Sequence, residues 1–171
     1  MSSTLRRAAG PVLAAGLVVV PFATPAEAAT PGSTAFRIFG GLVGLQARAG
    51  VQNNVSATVS GTHVILSDTT GIAIGPGCTR LNATTADCGS ISGTRLAIAL
   101  GDQNDSAVAN VPVNVTVDAG TGIDSVTTNG GNDTIGVEDN AGGDTVTCNG
   151  GTDTVFADPG DTIAGDCERQ F

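Results

Sequence analysis

Ala119-Gly120-Thr121-Gly122-Ile123-Asp124-Ser125-Val126 opens a series of four similar stretches, continued by Thr128 to Ile135, Asp139 to Val146 and Cys148 to Val155. Laid under one another, they align Asp124, Asp133, Asp144 and Asp153. Gly122, Gly131, Gly142 and Gly151 stand two places before each aspartate, and Val126, Ile135, Val146 and Val155 two places after. Four places before stand Gly120, Asn129, Asn140 and Asn149. Glycine adopts positive φ without penalty and asparagine tolerates it, so the first part of each unit reads as a turn. The remainder reads as a short strand whose aliphatic residue points inward. A period near nine of this kind predicts an all-β stacked solenoid.

Two such units make one coil, so turns on the same side recur every second unit. Asp124 to Asp144 and Asp133 to Asp153 are both steps of 20 residues, which places the two pairs on opposite edges. The longer step from Asp133 to Asp144 reads as a two-residue insertion between Val137 and Asn140. Asp105 and Asp161 extend the first edge in either direction, the latter in the shortened unit Asp158-Pro159-Gly160-Asp161-Thr162-Ile163. Stacked turns form grooves lined by backbone carbonyls and one carboxylate per turn, a set of hard oxygen donors that suits calcium. Zinc is disfavoured by the absence of histidine or cysteine clusters. Candidate ligands are therefore Asp105, Asp124, Asp133, Asp144, Asp153 and Asp161, enough for one to three calcium sites. Stacked carboxylates left without a cation would repel one another, which links binding to folding.

The region from Gly101 to Ala164, and best from Ala119 to Phe156, resembles the calcium-binding repeats of the hemolysin-type (RTX) family, whose unit is G-G-x-G-x-D-x-U-x. The resemblance implies a parallel β-roll with calcium held between turns by the aspartate and backbone carbonyls. Upstream, Gly40-Gly41-Leu42, Asn53-Asn54-Val55, Gly77-Cys78-Thr79 and the ending Asp166-Cys167-Glu168 are similar to small secreted actinobacterial proteins with such repeats. The first glycine of the unit is replaced throughout, by Ala119, Thr128, Asp139 and Cys148.

Outward from the repeats, Leu96, Ile98 and Leu100 alternate as a strand, and Val111, Val113, Val115 and Val117 read as another. Pro112 within that run requires an edge or a position without a ladder partner. Residues 29–90 read as a hairpin region capping the repeats of residues 91–171. Phe36 to Phe39 and Leu42 to Ala47 flank the turn Gly40-Gly41, after a short leader from Ala29 to Ser33. Asn54 to Ser60 and His63 to Ser67 flank Gly61. Residues 1–28 read as an export signal: Arg6-Arg7, an apolar run from Ala8 to Val20, then Ala26-Glu27-Ala28 as the cleavage site. That run is shorter than the ~20 residues a membrane span needs. Cleavage after Ala28 predicts a secreted, extracellular protein without a membrane span.

Without those 28 residues the chain has five arginines against fifteen acids, a net charge of −10. From Gly101 onward thirteen acids face Arg169 alone. Such a half repels nucleic acid phosphates and attracts cations. Export places the four cysteines in an oxidising compartment. Of three pairings, Cys78–Cys88 suits the two ends of a hairpin or loop, and Cys148–Cys167, 19 residues apart, suits adjacent coils.

No catalytic constellation is legible. His63, the only histidine, sits in the strand-like His63-Val64-Ile65-Leu66, and no base neighbours a serine or cysteine in the sequence. The reading is a non-enzymatic calcium-binding protein. The alternative is a metal-independent β-solenoid acting as an extracellular structural or adhesive element. The sequence names no protein or polysaccharide partner.

Overall fold

The computed structural model describes residues 29–171; the export signal expected at residues 1–28 lies outside the described residues. The described chain is all-β, with sixteen strands and no helix, arranged in two mixed eight-stranded sheets.

The first strands are hairpins set by their turn glycines. β1 (Ser33–Ile38) reverses at Gly40-Gly41, with φ of 82° and 77°, into antiparallel β2 (Leu42–Ala47). The leader expected through Ser33 ends sooner, because Ser33 is already buried in β1 beside Ala47 and Ile72. β3 (Asn54–Ser60) and β4 (His63–Asp68) pair across Gly61, at φ 61°. β5 (Ile72–Ile74) joins β1 in parallel, and β6 (Thr79–Asn82) pairs antiparallel with β7 (Thr85–Ser90). The Cys78–Cys88 disulfide closes that last hairpin, with Cα atoms 4.1 Å apart.

From β8 onward the pairing changes. β8 (Arg95–Ala99), β10 (Val115–Asp118), β12 (Thr134–Gly136), β14 (Thr154–Phe156) and β16 (Arg169–Gln170) follow one another in parallel within one sheet. β9 (Ser106–Pro112), β11 (Ser125–Gly130), β13 (Thr145–Thr147) and β15 (Thr162–Ile163) do the same in the other. Each strand therefore pairs with the next but one, and Val126 meets Val146 as Ile135 meets Val155. Parallel contacts of β2 with β8 and of β3 with β9 continue both sheets from the hairpins into the repeats.

One expected strand is two. The valines at 111, 113, 115 and 117 do not share a strand: β9 ends at Pro112 and β10 starts at Val115 in the other sheet. Proline has no N–H to donate, and its position opposite Gly130 coincides with a shift of register. The preceding strand from Ser106 was hidden by its small residues, Ser106, Ala107 and Ala109.

The inward residues form ranks perpendicular to the strands. Ala35, Leu45, Ile98, Val117, Ile135 and Val155 are successive partners in one sheet, and Val55, Ala107, Val126 and Val146 in the other. All ten are at most 2% exposed and belong to one continuous core. Burying a Val, Leu or Ile side chain stabilises by about 1.5–3 kcal/mol. These ranks thus hold strands only three residues long, such as β12, β13 and β14. Cys148–Cys167 links the chain after β13 to the turn before β16, with Cα atoms 5.3 Å apart.

Candidate metal centre

The turns between sheets stack into two edges, and the aspartates of the repeats stand in columns along them. Each carboxylate accepts, through Oδ1, a backbone N–H from the turn stacked before it. On the first edge, the N–H of Asn53 donates to Asp105 (2.6 Å), that of Asp105 to Asp124 (2.7 Å) and that of Asp124 to Asp144 (2.7 Å). Asp161 closes this column, accepting from Gly143 (3.0 Å) and Asp144 (3.1 Å). On the second edge, Val115 N–H donates to Asp133 (2.8 Å), and Asp133 N–H to Asp153 (2.8 Å). Asp153 N–H then donates to Glu168 Oε2 (2.8 Å).

All six sequence candidates therefore lie in the two columns, in the order their spacing implies. Val115 fills the place opposite Asp133 where the sequence has no acid. Asn53 and Glu168, which end the columns, were not singled out as site residues. The signal for Asn53 is Gly50, three places earlier, whose φ of 75° and N–H bond to Asp102 Oδ1 (2.6 Å) make residues 50–53 a turn stacked on 102–105. A second, more exposed series uses asparagine: Asn104, Asn114 and Asn132 accept from the N–H groups of Ile123, Asn132 and Thr152.

The turn glycines explain how the coils approach. Gly122, Gly131 and Gly151 have φ of 147°, 120° and 143°. A Cβ there would strike the carbonyl oxygens of Gln103, Val113 and Gly131 in the preceding turns. The alignment is imperfect at two points. At Asp144 the positive φ falls on Gly143, at 128°, because the two-residue insertion changes the turn. Asn129 does not adopt positive φ as its place in the alignment suggested; it lies within β11, and its side-chain N–H donates to Asn110 Oδ1 (2.6 Å).

The other carboxylate oxygens define the chemistry. Asp105, Asp124, Asp133, Asp144 and Asp153 are all 3% exposed or less. Oδ2 of Asp105, Asp124, Asp133 and Asp153 is buried with no hydrogen-bond partner. Burial pushes the Asp124 carboxyl up to about 6; the neighbouring carboxylates of Asp144, Asp105 and Asp139 add to this, and the Asp105 N–H opposes it. Burial also raises Asp105, Asp133 and Asp144 above the usual carboxylate range, each partly offset by the backbone N–H it accepts and Asp133 also by the Thr128 hydroxyl.

Among the described residues no arginine forms an ion pair with these acids. The only ion pair among the described residues is His63–Asp87, at 2.9 Å between Nδ1 and Oδ2, joining β4 and β7. Arg37 spends its guanidinium on Cys88 O, Ser90 O and Thr94 Oγ1. The only compact group of three potential ligands among the described residues is Cys148, Cys167 and Asp166, and its two sulfurs are joined in the disulfide. No protein-family model, curated protein or solved structure matches the chain.

What the columns offer, then, is single unpartnered carboxylate oxygens repeated from turn to turn, with no three of the described column carboxylates converging on one point. This is an all-oxygen donor set of the kind a calcium ion takes. The residues present fit that ion on one ground, the orphaned Oδ2 atoms of the columns.

Proposed function

We propose that this is a secreted, non-enzymatic calcium-binding repeat protein, similar to the hemolysin-type (RTX) repeats, whose C-terminal half is a parallel β-roll. Asp105, Asp124, Asp133, Asp144, Asp153 and Asp161 are its candidate ligands, and cation binding is linked to the stability of that half. One observation carries the reading. Among the described residues, four buried aspartates each leave a carboxylate oxygen without a donor and none of them has an ion-pair partner. A buried charge is strongly disfavoured unless it is paired or coordinated, so a divalent ion supplies what the side chains lack.

A second reading has its own support. The Oδ1 ladder, with N–H···O distances of 2.6–2.8 Å between Asn53 and Asp153, joins successive turns without any ion. With Oδ2 protonated, the columns serve a metal-independent structural or adhesive element. Calorimetric titration of calcium into the chain separates the two. Heat with one to three ions bound is expected, and Asp124→Asn and Asp133→Asn should each remove or weaken a site. No heat and no gain in thermal stability at millimolar calcium would leave the structural reading standing alone.

A further inference from the structure

We infer that a hard cation also binds at the junction of the hairpins and the first repeat turn, where Asn53 Oδ1 joins Oδ2 of the first column's Asp105 as a ligand. This extends the calcium reading to a turn that carries no repeat aspartate. Asn53 occupies the column position before Asp105 and is 2% exposed. Its amide is fixed by three acceptors that share its two N–H groups: Nδ2 lies 2.7 Å from Asp68 Oδ2, 3.0 Å from Gly32 O and 3.1 Å from Thr70 Oγ1. That leaves Asn53 Oδ1 buried and without a donor. Asp105, joined to Asn53 through the Asn53 N–H, likewise has Oδ2 buried and unpartnered.

The charge balance favours a cation over a water. Asp68 is fully buried and Asp105 nearly so, and both contact Asn53, with no ion-pair partner for either among the described residues. Asp68 is well served by neutral donors: Thr70 N–H (3.0 Å) and Thr70 hydroxyl (2.8 Å) at Oδ1, and Asn53 Nδ2 at Oδ2. By drawing on the amide NH₂, Asp68 makes the Asn53 oxygen more electron-rich, as outer carboxylates do for ligands generally. An amide oxygen and a carboxylate oxygen are donors typical of calcium rather than of softer metals.

Crystals of the full chain grown with strontium, a calcium analogue visible by anomalous scattering, test this directly. An anomalous peak between Asn53 Oδ1 and Asp105 Oδ2 is expected. Peaks at the Asp124 and Asp133 turns with none at Asn53 would overturn the junction site and leave the repeat reading intact, whereas no peak anywhere would sink both. In calcium titrations of the full chain, Asn53→Leu should bind one ion fewer than the unsubstituted chain, and an unchanged stoichiometry would overturn the inference. If that variant does not fold, the strontium crystals of the unsubstituted chain still decide.

Discussion

Asp68 and Asp124 are both sealed from solvent, yet the two halves of the molecule treat them differently. Asp68, in the hairpin half, receives donors on both oxygens from Asn53 and Thr70. Asp124, in the repeat half, receives one N–H on Oδ1 and nothing on Oδ2, and its carboxyl rises to about 6. The hairpins also hold antiparallel strands of six or seven residues, whereas β12 to β14 have three each. The first half satisfies its buried acid internally. The second leaves a row of acids with one oxygen unpartnered, and if the proposed cation fills that place, its stability should be conditional where that of the first is not.

The largest effect should come from removing calcium. Each site at ~100 times its dissociation constant adds about 2.7 kcal/mol. Hydrogen exchange of the amides in β11 to β14 should therefore accelerate by roughly 100-fold per vacated site in EDTA, since protection follows the opening free energy. Amides of β3 and β4 should change far less. Equal acceleration in both halves would break the comparison by showing one cooperative unit.

Next comes the close approach of the coils. Gly151→Ala places a Cβ against the Gly131 carbonyl at φ 143°, where backbone, not a side chain, must yield. The loss should be about 3 kcal/mol or more by urea unfolding, the sum of strained backbone and overpacking. Gly61→Ala, at φ 61° with open space around it, should lose only about 1–2 kcal/mol. Similar losses at the two positions would mean that the repeat turns are looser than their geometry indicates.

Much of this contrast is legible in the sequence, for reasons that particular residues make plain. The step of 20 from Asp124 to Asp144 gives the pairing of alternate strands, because the strand pattern is reinforced by Val126 and Val146 at fixed offsets. Cys148–Cys167 follows from the two-unit spacing and Cys78–Cys88 from the short segment between those two cysteines, and both pairings occur. The break at Pro112 was missed because four alternating valines outweigh one proline when period alone is read. Asn53 was missed because its turn is 52 residues from the next in its column, so no local repeat announces it. Nor does any pattern of residue types reveal that only one oxygen of each aspartate finds a donor; that depends on how closely the turns stack.

The smallest effect, and the sharpest on mechanism, is the response to acid. Asp124 titrates near 6 in the folded chain against 3.8 as its ordinary value, so the folded state binds protons more tightly than the unfolded one. Stability from this group is fully present below 3.8 and is lost as pH rises through 6. Asp105, Asp133 and Asp144 shift in the same direction. Asp87, lowered chiefly by its hydrogen bond to His63, acts oppositely, but only below 3.8. In EDTA, lowering the pH from 7 to 4.5 should thus raise Tm, by on the order of 5 °C for a chain of this size. Asp124→Asn should flatten that rise. With saturating calcium the trend should invert, because the ion needs the ionised carboxylate and protons compete with it. A Tm in EDTA that falls on acidification would show that the buried carboxylates are already paired as anions, and the repeat half would then need no cation to match the hairpins.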